Sequence, residues 1–246
     1  MIARLVIRFS AVGLVLGHSV WLMATGHMFF GVIEHTLLVA ALLWGTLNPN
    51  SRLFGPIQSK LDEGVALTID DGPDPHDTPI LLDLLDKYDA KATFFLIGRK
   101  AEEHPHLVRE IQARGHQIGN HTWSHPQATF WCASPWRLMR EIKKCQETLT
   151  TITGQSPTLF RAPVGHSNLF VHPILKHLRL RLIGWNCRGY DAADRSIESV
   201  LESISRGLDE GAIILAHEAT TITEPVIVGI IREVSDRGHD LVATIR

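Results

Sequence analysis

"VALTIDDGPDP", residues 65–75, is the stretch on which the reading of this chain turns. An apolar, partly β-branched run, Val65–Ile69, ends on two adjacent carboxylates, Asp70 and Asp71, and Gly72-Pro73 then halts any strand. Adjacent like charges repel, and neither glycine nor proline adds packing. Such a pair implies a cation at that spot, or a carboxylate that has to accept a proton.

Working outward, short apolar runs recur: Ala92–Ile97, Gln117–Gly119, Thr158–Phe160, Leu180–Trp185, Ala212–Ala216 and Leu241–Ile245. Amphipathic stretches such as "PILLDLLDKYD", "PWRLMREIKKCQETLTTITG" and "SIESVLESISRGL" separate most of them, and several end in glycine, as helix C-termini often do. Strands alternating with helices predict an α/β fold, a parallel sheet or barrel of about seven strands. In such folds the working residues gather at the C-terminal ends of strands. The runs above are followed by Asp70 and Asp71, by Asn120 and His121, by Arg161, by Asp191 a few residues on, and by His217. A purely structural barrel has no use for that pattern.

Ahead of this lies a different kind of chain. From Phe9 to Asn50 the only formal charge is Glu34, and "FSAVGLVLGHSVWLMAT" and "HTLLVAALLWGTL" are too apolar for surface helices. About 20 apolar residues span a bilayer. Residues 1–50 are therefore expected to be a membrane segment of one or two spans, with 51–61 a Gly/Pro-punctuated linker and 62–246 a catalytic domain. Arg4 and Arg8 before the segment and Arg52 and Lys60 after it favour a hairpin with both flanks cytoplasmic. The expected location is thus a bacterial inner membrane, the bilayer being one partner. The formal net charge is -2 with no dense Lys/Arg stripe, which argues against a nucleic-acid partner. Three irregularly spaced cysteines imply no disulfide framework.

His121 and His125 stand four apart in "NHTWSHP", a spacing that puts both imidazoles on one face of a helical turn. With one carboxylate of the Asp70/Asp71 pair they make a two-His, one-Asp set with an open position, the usual arrangement of catalytic zinc. Zinc is the default ion, and cobalt, nickel or manganese suit the same donors. Because neighbours in extended chain point to opposite sides, one aspartate can bind metal while the other faces substrate.

These residues fall into five segments that resemble, in order, the motifs of the NodB-homology polysaccharide deacetylases, carbohydrate esterase family four. "TIDDGPDP" is similar to the first motif, "HTWSH" to the second, "RAPVG" to the third, "WNCRGYDAAD" to the fourth and "ILAHE" to the fifth. The resemblance covers about residues 62–246 and implies a distorted (β/α) barrel. It further implies Asp71, His121 and His125 as metal ligands, Asp70 as general base, Arg161 as its ion-pair partner, and His217 as general acid tuned by Asp191. The backbone N–H of Val164, beside Pro163, would bind the oxyanion, and Leu215 and Trp185 would line the acyl pocket. Val164 stands where the family usually has tyrosine, and Ala192 follows Asp191 where an aromatic is common; both leave the catalytic set intact and bear on which sugar is bound.

The implied activity is metal-dependent hydrolysis of an N-acetyl or other small N-acyl group on an amino sugar, the acylated amino sugar being the second partner. The alternatives are a deacylase or deformylase of a lipid-linked or small amino sugar and, further off, an inactive carbohydrate-binding membrane protein.

Overall fold

The computed structural model describes residues 2–245, with side chains described from residue 10 onward. The side chains of Arg4 and Arg8, which entered the orientation argument, lie outside the described ones. Two helices come first, α1 (Ile2–Ala24) and α2 (Met28–Leu47). The remainder runs β1 (Ala66–Gly72), α3 (Asp77–Lys87), β2 (Thr93–Leu96), α4 (Gly98–Glu103), α5 (Pro105–Ala113), β3 (Gln117–Asn120), α6 (Pro135–Thr153), β4 (Leu159–Phe160), α7 (Val171–His177), β5 (Arg181–Leu182), β6 (Cys187–Arg188), α8 (Ile197–Gly207), β7 (Ile213–His217) and α9 (Thr223–Asp236).

The strands form one seven-stranded sheet in the order β5-β4-β3-β2-β1-β7-β6, and every pairing is parallel. Helices cover its outer face, so strands such as Thr93–Leu96 are buried throughout and read as continuous apolar runs. The helices carry ordinary stop and start signals. Ser134 caps α6 by accepting from Arg137 N–H at 3.4 Å, Pro135 occupies the first turn, and Gly154 closes the helix at φ 70°.

Alternation along the strands divides the core in two. Leu67 and Ile69 of β1 and Ile214 and Ala216 of β7 pack outward under the helices. Ala66, Ile213 and Leu215 point into the barrel with Phe95, Leu159, Ile183 and Trp185. By the same period, Thr68 and Asp70 share the inner side with Ala66, and His217 shares it with Ile213 and Leu215.

One expectation about the elements needs correction. Leu241–Ile245 is no strand: Leu241 makes only an isolated bridge to Val65. The seventh strand is instead the two-residue β6, Cys187–Arg188, which pairs with β7 in place of a C-terminal strand. Such a short run carries no readable periodicity.

α1 and α2 lie side by side as a hairpin turning at Gly26 (φ 87°). Gly31 of α2 sits against Ser19 and Met23 of α1, where a Cβ has no room, so a glycine is what permits this close approach. His18 and Glu34 join the two helices at 2.9 Å. The outward face carries Leu14, Val20, Phe29, Phe30, Leu37 and Trp44, all exposed. α2 is long and apolar enough to cross a membrane by length and composition, and Ser10–Ala24 of α1 is a shorter apolar stretch.

Candidate active site

The first motif bends at its second carboxylate. The register between β1 and β2 slips between Asp70 and Gly72, and Asp71 adopts φ 73°. A left-handed aspartate inside a strand is strained backbone of the kind that collects at functional sites. The bend has a chemical result. Asp70 keeps the inward direction of its strand while Asp71 turns toward the histidines, so the adjacent acids have different neighbours.

Asp70 is buried, and its Oδ1 accepts from Arg161 Nη1 at 2.8 Å. Arg161 is itself wholly buried. Its guanidinium also donates to the Thr68 hydroxyl (2.7 Å) and to the carbonyls of Gly184 (3.0 Å) and Ile183 (3.4 Å), and lies 4.2 Å from the Phe95 ring centre. Burial alone lowers the Arg161 pKa, opposed by the charge of Asp70. Breaking a buried pair leaves an uncompensated charge, so Arg161→Met is expected to destabilise the fold by about 3–5 kcal/mol. The check is the urea midpoint of the variant against the parent protein.

His121 and His125 both face Asp71, with Nε2–Oδ1 distances of 3.5 and 3.4 Å. His121 Nε2 is 3.7 Å from Asp70 Oδ2. The two imidazoles lie 4.7 Å apart between centres. They do not sit on a helical turn, contrary to the spacing argument. Residues 121–126 form an irregular loop with Thr122 at φ 67° and His125 at φ 51°. Side chains hold that loop: Asn120 Oδ1 accepts from Thr122 N–H (2.9 Å), the Thr122 hydroxyl accepts from His125 N–H (3.1 Å), and Glu141 takes both donors of Ser124. Local side-chain bonds of this kind compete with helix formation.

The donor set fits a divalent cation. Single ligand atoms of Asp71, His121 and His125 lie within 4.8 Å of one another, and Asp71 Oδ1 is buried without a hydrogen-bond partner. His121 pairs through Nδ1 with the Arg161 carbonyl at 2.9 Å; with Nδ1 donating, the Nε2 lone pair is left toward Asp71. Burial and the neighbouring His121 push His125 down to about 4, so it is neutral and able to ligate at pH 7. Burial works against the charged forms of Asp71 and His121, yet the facing imidazoles hold the Asp71 carboxyl low, and the Asp70 and Asp71 carboxylates hold His121 high.

His217 ends β7 on the other side of the cavity. Asp191 grips it twice, accepting from His217 N–H at 2.7 Å and pairing with Nδ1 at 3.0 Å. Burial lowers its pKa, but the Asp191 bond outweighs that and the net shift is upward.

Asp70, Asp71, His121, His125, Val164, Trp185, Leu215 and His217 line one cavity of about 300 Å³. Arg161, Asp191 and Pro163 stand behind that wall, in contact with or next to its members. Val164 takes φ 50° in the short turn Pro163–Gly165 and is partly exposed. Cys187 is a buried packing thiol whose pKa burial pushes up to about 12. A roomier cavity of about 670 Å³, between Phe54–Gln58 and the α7–β5 edge, holds none of these groups.

Three residues escaped the sequence reading. Arg188 and Tyr190 also line the cavity, the guanidinium 3.8 Å from the ring centre, so an aromatic does flank Asp191, on its N-terminal side. Their place in "WNCRGYDAAD" was the available signal. Glu218, next to His217, is buried with its pKa pushed up to about 8 by that burial; it bonds the Thr78 hydroxyl and accepts from Asp74 N–H (3.1 Å), bracing the turn after Asp71.

Fold and site together describe a parallel-stranded half-barrel with a two-His, one-Asp cluster and a separate arginine-bound aspartate at its strand ends. The family model for polysaccharide deacetylases matches residues 58–183. The chain is 34% identical over 157 residues to a chitooligosaccharide deacetylase of Rhizobium leguminosarum bv. trifolii, covering 64% of this chain and 72% of that one. It is 32% identical over 185 residues to the peptidoglycan-N-acetylglucosamine deacetylase PgdA of Listeria monocytogenes, covering 75% of this chain but 39% of the relative's length. Among solved structures, the Bc1960 peptidoglycan N-acetylglucosamine deacetylase superposes with a TM-score of 0.71 at 29% identity, over 76% of this chain and 89% of that one. The chain belongs to the polysaccharide deacetylase family.

Proposed function

We propose that this protein hydrolyses the N-acetyl group of an amino sugar in a glycan or glycoconjugate, with a divalent cation, zinc by default, held by Asp71, His121 and His125. The observation that carries this reading is the division of labour between the adjacent acids. One carboxylate faces two imidazoles, and the other is bonded to a buried arginine and opens onto the same cavity. A cation there supplies a water acidified toward a pKa of ~7 and a polarised acyl carbonyl.

The remaining work falls to the chain. Asp70 accepts the proton of the attacking water, and Arg161 keeps it aimed. The Val164 N–H, at the cavity rim, stabilises the developing oxyanion. His217 delivers a proton to the leaving nitrogen from its Nε2, while Asp191 holds Nδ1 and fixes the ring. Leu215 and Trp185 leave room for a small acyl group. Acetate and the free amine are the products.

The deciding experiment is acetate release from N-acetylated chito-oligomers by the full chain, with chelator and then with zinc restored. Chelator-sensitive, zinc-rescued release is the expected result. Absence of release by protein shown to carry one equivalent of zinc, from these oligomers and from a membrane-inserted glycoside of the same sugar alike, would overturn the reading.

His217 also gives a pH prediction. A general acid acts while protonated, so kcat is expected to fall as pH rises through the raised His217 pKa. Asp191→Asn removes the main cause of that shift, so the alkaline limb should move to lower pH. An unmoved limb would take His217 out of the acid role. The same linkage makes the His217 contribution to stability full below its ordinary value of 6.5 and lost as pH rises through the folded-state value.

The hairpin α1–α2 is read as a retained membrane anchor. Its end is part of the domain: Ser167 N–H donates to the Thr46 carbonyl (3.1 Å), and the Asn50 amide donates to the Trp185 carbonyl (2.7 Å). A segment removed in maturation would take part of the cavity wall's support with it.

A further inference from the structure

The anchor and the catalytic cavity are not merely in the same chain; they share a wall. Gly165 (φ 72°) is wedged between Pro49 and the Trp185 ring, with no space for a Cβ. Gly165, Val164 and Trp185 all line the catalytic cavity. Two hydrogen bonds, from Ser167 N–H to the Thr46 carbonyl and from the Asn50 amide to the Trp185 carbonyl, tie that wall to the last turn of α2 and the three residues after it. The turn that carries the oxyanion donor therefore packs through Gly165 against Pro49, just past an apolar helix, and Ser167, two residues on, is bonded to that helix's last turn.

That end lies at a bilayer interface if the hairpin spans. Twenty residues of helix reach about 30 Å, the thickness of a hydrocarbon core. Trp44, exposed, sits one turn before the domain, and Trp21, also exposed, sits near the hairpin turn at the opposite end. Tryptophans at both ends of an apolar hairpin are placed as an interfacial belt is. Beyond the helix the apolar exposure continues on the domain side, through Leu53 and Val164. Trp131 joins them, its carbonyl bonded by Asn168 (3.2 Å) from the same loop that Thr46 holds. A rim of this kind suits a headgroup layer better than the flank of a long, fully hydrated polymer.

Resting on the deacetylase reading, we infer that the substrate is an amino sugar carried on a membrane lipid, and that it is deacetylated at the bilayer surface. Water adds to the acyl carbon and the carbon–nitrogen bond breaks. Acetate leaves to the aqueous phase, and the protonated amine stays on the lipid.

The test uses the full chain in phosphatidylethanolamine/phosphatidylglycerol vesicles with zinc. Two probes share one headgroup, di-N-acetylchitobiose, as an octadecyl glycoside inserted in the enzyme's own vesicles and as the water-soluble methyl glycoside. The inference expects kcat/KM at least tenfold higher for the octadecyl glycoside, and loss of that advantage when it is confined to separate vesicles. Equal or faster release from the methyl glycoside would overturn the inference and leave the deacetylase reading standing. Release from neither probe would overturn the deacetylase reading, and the inference with it.

Discussion

Asp70→Asn is expected to lower kcat by about 10²–10⁴-fold, the range spanned by general acid–base groups, while zinc stays bound at one equivalent. The expectation follows from the separation of the two acids. Asp70 spends one oxygen on Arg161 and turns the other toward His121 at 3.7 Å, whereas Asp71 sits within 3.5 Å of both imidazoles. Asparagine can still accept from Arg161, so much of the packing survives, but its amide takes no proton at neutral pH. Part of the buried Arg161 charge is left uncompensated, so the melting temperature has to be measured alongside kcat. A folded variant that loses zinc would mean that the two aspartates have exchanged roles. A folded, zinc-bound variant with normal turnover would remove Asp70 as the base.

His121→Ala is expected to remove metal and activity together. The imidazole is buried, fixed through the Arg161 carbonyl, and placed against the partnerless Asp71 Oδ1. Without it the cluster drops to two ligands, one of them His125. A catalytic metal contributes several kcal/mol of charge stabilisation. At about 1.4 kcal/mol per decade, its loss costs on the order of 10³-fold in kcat. Zinc content by elemental analysis and acetate release from the same preparation provide the check. A variant that keeps both zinc and turnover would exclude this ligand set.

Much of the site was legible because β-strands have a period of two and parallel α/β folds present chemistry at one end. Asp70 and His217 end apolar runs, and their inward direction follows from counting along Ala66–Thr68 and Ile213–Leu215. Arg161 follows a two-residue strand and was found by position alone. The helical reading of His121 and His125 failed because spacing reports only where residues stand along the chain. Their approach depends on Asn120, Thr122 and Glu141 bonding a loop with two left-handed residues, and Glu141 arrives from a helix seventeen residues or more away. Arg188 and Tyr190 were missed because β6 is too short to show a period and its partner β7 is distant in sequence.

The sequence by itself determined the alternation of strands and helices, the order of the chemistry-bearing strand ends, and the apolar character of the first fifty residues. Each is a local property, carried by side-chain type and period. Only the tertiary structure decided that Asp70 and Asp71 face different partners, since that depends on a register slip against β2. Only it decided that β6 rather than Leu241–Ile245 completes the sheet, since two-residue pairing is set by the neighbour and not by the strand. And only it placed the end of the apolar hairpin against the wall of the catalytic cavity, through contacts between Thr46–Asn50 and Gly165–Trp185 that lie more than a hundred residues apart. Long-range contact of that kind leaves no trace in any local pattern of residues.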